Sequence, residues 1–216
     1  MPTIGFLHTS PVHVATFDGL IDAVRPEVST VHLVDEDLLA RARTSGPDAV
    51  RAEVEAGLDS LRARGADVVV CTCSTLGGVA ELVADDATVF RVDRPMARRA
   101  VATGSRIGVV AAVESTVVPT EALLADEARR AAADPTYEVV LVEDAWDLFE
   151  AGRTEDYLAR IAAAARELAD RVDVVVLAQA SMAPAAERLN LAVPVLASPG
   201  AAVAHALGLL DACGLS

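Results

Sequence analysis

Short apolar runs rich in β-branched residues alternate along this chain with longer segments whose apolar positions recur at the helical period. Runs such as Val68-Val69-Val70 are apolar at every position, which is typical of parallel strands covered on both faces. The alternation therefore predicts an α/β fold. The predicted strands are Thr3–His8, Thr30–Val34, Asp67–Cys71, Thr88–Arg91, Arg106–Ala111, Tyr137–Val142, Asp173–Ala178 and Val193–Ala197. The predicted helices are Val12–Ala23, Asp48–Arg64, Gly77–Val83, Arg94–Ala102, Thr120–Ala133, Thr154–Arg171, Pro184–Leu189 and Gly200–Ala212.

The pattern of the first half of the chain is repeated in the second half. Ile4-Gly5-Phe6-Leu7 returns as Ile107-Gly108-Val109-Val110, and the segment around Asp67 returns around Asp173, in the same order. Any two valine-rich α/β segments look alike, but ordered matches at nearly one spacing favour duplication. We therefore expect two similar lobes, residues 1–103 and 104–199, and a C-terminal helix within residues 200–216 that packs back on the first lobe.

Composition narrows the possible chemistry. All 18 basic residues are arginine, which excludes a lysine Schiff base, ordinary pyridoxal-phosphate catalysis and a standard P-loop. A formal charge of −14 argues against nucleic acid and anionic membranes as partners. No apolar run reaches the roughly 18–20 residues of a membrane span, and no secretory signal is visible. Three cysteines do not make a disulfide framework, so we expect a reduced, cytoplasmic protein.

Candidate site residues follow the ends of the predicted strands, because ligands of parallel sheets bind beyond the carboxyl ends of the strands. Small hydroxyl residues dominate these positions, and together with helix-start amides they predict a pocket for a carboxylate or enolate, without a metal or a nucleotide. Under the duplication, Cys73 and Gln179 occupy equivalent positions facing each other across a cleft between the lobes. The candidates are His8, Thr9, Ser10, Cys73, Ser74, Thr75, Ser115, Thr116, Gln179, Ala180 and Ser181.

Cys73 is the candidate with the clearest chemistry. It lies where a buried strand becomes a helix start, a position that favours the thiolate form, so it could act as a base or a nucleophile. The alternative is a small buried apolar residue, which is how we interpret Cys71. A metal site formed by Cys71 and Cys73 with His8 or His13 lacks further ligands, so we predict no metal.

Three other features each allow two interpretations. His8 could contact the substrate or orient Cys73, or it could be a structural histidine. Arg94 could hold a substrate carboxylate or form an ion pair at a helix start. Trp146 and Phe149 could line a pocket or pack within a lobe.

These motifs together resemble the aspartate/glutamate/hydantoin racemase superfamily, which includes arylmalonate decarboxylase and maleate isomerase. The resemblance covers nearly the whole chain and rests on an Ile-Gly strand opening each half and on two motifs. Cys71-Thr72-Cys73-Ser74-Thr75 resembles the family's Cys-Asn-Thr motif, and Gln179-Ala180-Ser181-Met182 resembles its Gly-Cys-Ala-Gly-Met motif. The resemblance implies two pseudo-symmetric Rossmann-like lobes with the active site in the cleft between them, cofactor-independent chemistry beside a carboxylate, and often a homo-oligomer.

The chain departs from the family pattern at the second motif. Racemases of the family use two cysteines as acid and base, and here Cys73 matches the first whereas Gln179 replaces the second. Glutamine does not exchange protons as a thiol does, so the residues do not support racemisation by two cysteines. We expect an isomerase acting on a small carboxylate through Cys73, by racemase-like or cis–trans chemistry. The alternatives are a lyase of the decarboxylase type and a catalytically silent carboxylate-binding protein.

Overall fold

The computed structural model describes residues 1–215, which form two compact units. The first unit comprises Met1–Asp93 together with the chain from Pro199 onward, and the second comprises Arg94–Ser198. Each unit contains one four-stranded parallel sheet, so the predicted α/β class with two parallel-sheet lobes is confirmed. None of the helices formed by residues 1–215 is long and apolar enough to cross a membrane.

The sheet of the first unit has the strand order β2-β1-β3-β4. Its strands alternate their side chains between two cores, because successive residues of a strand point to opposite faces. Ile4 and Phe6 face one core and Leu7 faces the other. The strands are β1 (Thr3–His8), β2 (Ser29–Val34), β3 (Val68–Cys71) and β4 (Val89–Arg91). The helices are α1 (Val12–Val24), α2 (Glu36–Ser45), a 3-10 turn (Pro47–Val50), α3 (Arg51–Ala63), α4 (Ser74–Ala84) and α10 (Ser198–Ala212).

The sheet of the second unit has the matching order β6-β5-β7-β8. Its largest described core forms where α8 places Tyr157 and Ile161 against Val110 and Val175 of the sheet. The strands are β5 (Arg106–Ala111), β6 (Thr136–Leu141), β7 (Val174–Leu177) and β8 (Val195–Ala197). The helices are α5 (Arg94–Thr103), α6 (Glu114–Arg130), α7 (Ala145–Glu150), α8 (Thr154–Ala169), a 3-10 turn (Ala180–Met182) and α9 (Ala183–Glu187).

The boundary between the units lies ten residues earlier than the division at residues 103 and 104 predicted from the sequence. Helix α5 packs against α6 and β7 and so belongs to the second unit, although the sequence pattern assigned it to the first lobe. At the other end of the chain, α10 buries Ala202, Val203 and Leu210 in the core of the first unit.

Several helices differ from the sequence prediction. Helix α2 was not predicted, yet it begins at a capped position, because Asp35 Oδ1 accepts hydrogen bonds from the amides of Asp37 and Leu38. Helix α7 is short and was also missed. Helices α4 and α6 begin earlier than expected, at Ser74 rather than Gly77 and at Glu114 rather than Thr120, and α6 continues through Pro119.

Candidate active site

The carboxyl ends of β1 and β3 lie side by side in the first unit, since the two strands pair in parallel with Leu7 opposite Cys71. The hydroxyl of Thr72 donates to the carbonyl oxygen of Leu7 at 3.1 Å, and it lies 2.8 Å from Nδ1 of His8. His8 is fully buried and its Nε2 lies 2.8 Å from Nδ1 of His32. Both ring nitrogens of His8 therefore contact protein side chains, an arrangement that favours an orienting role over direct contact with substrate.

Cys73 is the residue at which the buried strand β3 gives way to helix α4. Its backbone is extended, with φ −96° and ψ 113°, and it occupies the N-cap position of the helix without capping it through its side chain. The residue is 8% exposed and packs in the same core as Leu7 and Leu76. Helix starts carry a partial positive charge, and Cys73 is placed where that field favours an anion.

Cys71 packs in the same core as Cys73 but belongs to the strand and has no exposed surface. It is fully buried in the core that contains Leu58 and Leu61, and its thiol lies 3.8 Å from the carbonyl oxygen of Cys73, to which it donates. Burial raises the pKa of the Cys71 thiol far above its ordinary range. Cys71 is therefore a neutral core residue, as the sequence indicated. Among residues 1–215, no group of three or more histidine, cysteine or acidic side chains is arranged to hold a metal ion.

A buried ion pair supports the first turn of α4, and the sequence analysis missed it. Arg91 forms a two-pronged contact with Asp93, with Nε to Oδ1 at 2.6 Å and Nη2 to Oδ2 at 2.9 Å. Nη2 of Arg91 also donates to the carbonyl oxygen of Ser74 at 3.0 Å. Gly77 makes room for this guanidinium, since a Cβ there would lie 2.5 Å from Cβ of Arg91. The alternation of Arg91 and Asp93 at the end of a strand was the available signal.

Arg94 forms the ion pair that was one of its two predicted roles. Its Nη1 lies 2.8 Å from Oδ2 of Asp126 and 2.5 Å from Oε1 of Glu127, both on α6 of the second unit.

In the second unit, Gln179 occupies the position after β7 that Cys73 occupies after β3. Its Oε1 accepts a hydrogen bond of 3.1 Å from the amide of Ala112, the first residue after β5. Its Nε2 is buried and has no hydrogen-bond partner among residues 1–215, and the same is true of Oγ of Ser115. A buried donor without a partner costs roughly 1–3 kcal/mol, so such atoms mark places where a ligand or a water can bind.

Ser198 is a third such residue and was not among the sequence candidates. It is fully buried, it directly follows β8, and its hydroxyl has no partner within the described part of the chain. The rule that selected the other candidates, taking the residues that follow each strand, would have found it. The three partnerless groups of Ser115, Gln179 and Ser198 thus follow β5, β7 and β8, which are neighbours in the sheet.

The remaining sequence candidates differ in their hydrogen-bond partners and in their burial. Oγ of Ser181 lies 2.8 Å from the hydroxyl of Tyr157, whose pKa burial raises to about 12. Thr116 is buried in the first turn of α6, and its carbonyl oxygen accepts a hydrogen bond of 2.8 Å from the hydroxyl of Thr120. The others are buried or half-buried at the same strand ends, namely Thr9 and Ser10 after β1, Ser74 and Thr75 in the first turn of α4, and Ala180 after β7.

A cavity of about 300 Å³ opens at the carboxyl ends of β5 and β6 in the second unit. Ala112 and Trp146 line it together with the carboxylates of Glu114, Glu143, Asp144 and Asp147. Trp146 lines this pocket and also packs against Phe149, with ring centres 4.9 Å apart, so it has both of the predicted roles. Phe149 packs in turn against Tyr157, with ring centres 5.3 Å apart.

The sequence and the fold were both compared with those of known proteins. The family model of Asp/Glu/hydantoin racemases matches residues 22–206. No curated protein sequence matches the chain significantly. The fold is similar to that of an aspartate racemase from Picrophilus torridus, with a TM-score of 0.71 and 15% identity over 99% of this chain and 95% of the other.

Two further solved structures share the fold. A glutamate racemase from Bacillus anthracis gives a TM-score of 0.75 at 18% identity, over 99% of this chain and 83% of the other. A mutant of arylmalonate decarboxylase gives a TM-score of 0.62 at 19% identity, over 97% and 94% of the two chains. Because the family model covers most of the sequence, this chain belongs to the Asp/Glu/hydantoin racemase family.

Proposed function

We propose that this protein is a cofactor-independent isomerase that acts at a carbon next to the carboxylate of a small acid, with Cys73 as its single thiol acid/base or nucleophile. Membership of the racemase family supports an isomerase of small carboxylates at this level. The observation that carries the assignment to Cys73 is its position as N-cap of α4, two residues after the buried strand β3, where it keeps 8% exposure. Cys71 is fully buried and Cys213 lies beyond the end of α10.

In the proposed reaction, the Cys73 thiolate removes the proton from the carbon beside the carboxylate. The electron pair of the broken C–H bond moves into the carboxylate to give an enolate, and the thiol later returns the proton. Hydrogen-bond donors must stabilise the enolate, and one such donor contributes roughly 3–4 kcal/mol in comparable sites. The proposed ligands are Thr9, Ser10, Ser74 and Thr75 in the first unit, and Ser115, Thr116, Gln179, Ala180 and Ser181 in the second.

Because of Gln179, the proposed proton exchange takes place on only one face of the substrate. The amide has no useful proton to exchange, so it cannot deliver a proton to the opposite face of the enolate as a second thiol would. We expect Cys73 to exchange the proton on one face of the substrate, with slow or no loss of optical activity. The partnerless Nε2 of Gln179 fits a group that binds the substrate carboxylate.

A cis–trans isomerisation is the second candidate. Here the Cys73 sulfur adds to an activated carbon–carbon double bond, the single bond rotates, and the sulfur leaves again. This reaction needs only one thiol, and a Gln179 that binds without reacting is compatible with it. The observation that favours cis–trans isomerisation is that Gln179, which does not titrate, follows β7 where a second cysteine would be needed for racemisation.

The test is proton exchange in deuterated water with a panel of small amino acids, hydantoins and unsaturated diacids. We expect deuterium at the carbon beside the carboxylate, or conversion of a cis diacid to its trans isomer. Cys73→Ser should reduce either rate about 10²–10⁴-fold, the range of a positioned acid/base. Serine is a favoured N-cap residue, so α4 should remain intact. The matched control is Cys213→Ser, which removes an exposed thiol and should leave the rate unchanged.

Other outcomes would identify the alternatives. Release of carbon dioxide from a malonate would indicate a lyase. Binding of an acid with no exchange, equal in the parent and in Cys73→Ser, would indicate a silent binding protein and would contradict the proposal.

A further inference from the structure

A buried arginine is bonded to the start of the helix that carries Cys73. Arg91 ends β4, which pairs with β3 so that Arg91 lies opposite Cys71. Paired residues of parallel strands point to the same face of the sheet, so the Arg91 side chain lies on the face whose core contains Cys71 and Cys73. Its Nη2 donates a hydrogen bond of 3.0 Å to the carbonyl oxygen of Ser74, the first residue of α4. The reaction proposed above gives this bond no role.

The surroundings hold Arg91 in place from several sides. Asp93 accepts two hydrogen bonds from the guanidinium, at 2.6 and 2.9 Å, and Oε1 of Glu81, further along α4, accepts one of 3.2 Å from the Arg91 amide. Gly77 leaves space for the side chain, since a Cβ there would lie 3.0 Å from Nε of Arg91. A guanidinium can only donate, so the direction of the bond to Ser74 is fixed by its chemistry. Because Asp93 neutralises the cation, Arg91 acts on the helix through this directed bond.

The carbonyl group of Ser74 belongs to the same peptide unit as the amide of Thr75. An N-cap side chain accepts a hydrogen bond from the amide of the second or third helical residue, which here are Thr75 and Leu76. The Leu76 amide is already bonded to the carbonyl oxygen of Cys73 at 3.1 Å, so the Thr75 amide is the one placed to donate to an anion at Cys73. A hydrogen bond to the carbonyl of a peptide unit polarises its amide. The bond from Arg91 therefore makes Thr75 a stronger donor.

The other groups around Cys73 are neutral or directed elsewhere. The thiol of Cys71 donates to the Cys73 carbonyl oxygen, and burial raises its pKa so that it stays protonated. Helices α2 and α3 cover the same core with apolar side chains such as Leu58. The carboxylate of Glu81 is bonded to the amide of Arg91. The amides of the first turn of α4 are therefore the donors positioned for a negative charge at Cys73.

We propose that Arg91 is a positioning residue for Cys73, which holds and polarises the peptide unit between Ser74 and Thr75 so that the Thr75 amide donates to the Cys73 thiolate. Within the described chain the Cys73 side chain does not cap α4, so this bond forms when the thiol gives its proton to the solvent. The importance of Arg91 for turnover rests on the proposed function. Its effect on the Cys73 anion does not, because that anion can be observed without a substrate.

The rate of alkylation by iodoacetamide as a function of pH measures the Cys73 anion. A Cys213→Ser background removes the exposed thiol, and Cys71 is buried. Arg91→Met combined with Asp93→Leu removes both partners of the ion pair, which avoids an unpaired buried charge and is often neutral for stability. We expect the midpoint to move to higher pH and the rate near neutral pH to fall about 2–10-fold, the effect of one dipole at a partly buried helix start. An unchanged profile in the folded double variant would overturn the proposal.

Two matched comparisons separate the directed bond from general effects. Arg62→Met combined with Asp86→Asn breaks an exposed ion pair of 2.9 Å beyond the other end of α4 and should leave the profile in place. Gly77→Ala adds a methyl group against Arg91, whereas Gly78→Ala does not, so only the first should move the midpoint to higher pH. This pair keeps every charge and serves as the test if the double variant of the buried ion pair does not fold. Equal profiles for the two alanine variants would overturn the proposal.

The amide signal of Thr75 in nitrogen-15 NMR reports the bond itself. In the parent it should shift with the same pH midpoint as the alkylation of Cys73, and in Cys73→Ser this shift should be lost. A Thr75 signal that does not respond to the ionisation of Cys73 would overturn the proposal. If the alkylation profiles and the Thr75 signal behave as expected but Cys73→Ser keeps the full rate of exchange or isomerisation, the proposed function fails and the role of Arg91 stands.

Discussion

The carboxyl edges of the two sheets share a topology but differ in how far the protein satisfies their polar groups. In the first unit, the turn after β3 is supported by a hydrogen bond between His8 and Thr72 and by one that Arg91 donates to the carbonyl oxygen of Ser74. In the second unit, the corresponding turn after β7 carries Gln179, whose Nε2 has no partner among the residues that the structure describes. The carboxyl edge of the first unit's sheet, called the first edge below, is held by hydrogen bonds within the protein. The carboxyl edge of the second unit's sheet has a hydrogen-bond donor that a ligand could use.

The amino edges of the same two sheets are alike. Asp67 accepts a hydrogen bond of 2.9 Å from the amide of Thr3, and Asp173 accepts one of 2.9 Å from the amide of Arg106. Gly5 and Gly108 each allow a side chain of the segment entering the neighbouring strand to approach closely. The two halves therefore agree where strands begin and differ where they end, which is the edge at which parallel sheets bind ligands.

This difference suggests a division of labour. A reactive group needs to be held in place by its surroundings, and the turn of Cys73 has that support. Groups that recognise a ligand need hydrogen-bonding capacity that the protein does not use, and Ser115, Gln179 and Ser198 have it. The predictions below test this asymmetry.

Gln179→Cys should have the largest effect, because it restores a thiol at the position where the two edges differ most. If the second acid/base is the missing group, an acid whose proton the parent only exchanges should now lose optical activity, at a rate on the order of 10²–10⁴-fold higher. Polarimetry with deuterium exchange measures both processes in one sample.

The matched control is Gln179→Ser, which loses the same hydrogen bond to Ala112 but adds no thiol. Racemisation equal in the two variants would show that the thiol is not responsible. Tight binding without racemisation in Gln179→Cys would show that the second unit has diverged beyond this one residue.

Asp93→Asn tests the support of the first edge. It leaves the guanidinium of Arg91 buried without its carboxylate, in a pair whose side chains are 6% and 1% exposed. Loss of one partner of a buried pair costs roughly 3–5 kcal/mol in the free energy of unfolding, to be measured by chemical denaturation. Asp156→Asn breaks an exposed pair with Arg153 in the second unit and should cost about 0–1 kcal/mol. Equal costs would show that the Arg91–Asp93 pair gives no special support.

The strands could be predicted well because a run of apolar residues on both faces has few alternatives in an α/β chain. Helices were less predictable where local signals conflict with packing. Pro119 argues for a break, yet α6 runs through it from Glu114 to Arg130 because the helix buries Leu123 and Leu124. The α/β class and the racemase family are confirmed, and the site residues stay predictions.

The position of Cys73 could be predicted because a strand-to-helix turn is a local feature. The bonds among Asp18, His32 and His8 could not, because they depend on the register of β1 with β2 and on the rotation of α1. Likewise, the sequence does not show that Gln179 uses its Oε1 on Ala112 and keeps its Nε2 available.

Gly77→Ala should destabilise the first edge by roughly 1–3 kcal/mol, the usual range for overpacking. The new Cβ would lie 2.5 Å from Cβ of Arg91, and that atom cannot move without its backbone. Gly78→Ala is the matched control, since its nearest neighbour would be Nη1 of Arg91 at 3.8 Å. Alanine is the better helix former, so the control should stabilise by up to about 1 kcal/mol. The measurement is the thermal unfolding midpoint of each variant relative to the parent. Equal shifts of the midpoint in the two variants would contradict the packing of Arg91 on α4.

Tyr157→Phe should have the smallest effect, because it removes one hydrogen bond, to Ser181, in the second unit. The expected cost is about 0.5–1.5 kcal/mol near neutral pH. Burial raises the pKa of Tyr157 to about 12 from an ordinary value of about 10. Its contribution to stability is thus complete below about pH 10 and is lost as the pH rises through about 12. The variant should lack this alkaline loss, whereas Tyr137→Phe, with Tyr157 intact, should keep it. Stability measured against pH in both variants checks the sign, and an alkaline loss unchanged in Tyr157→Phe would contradict it.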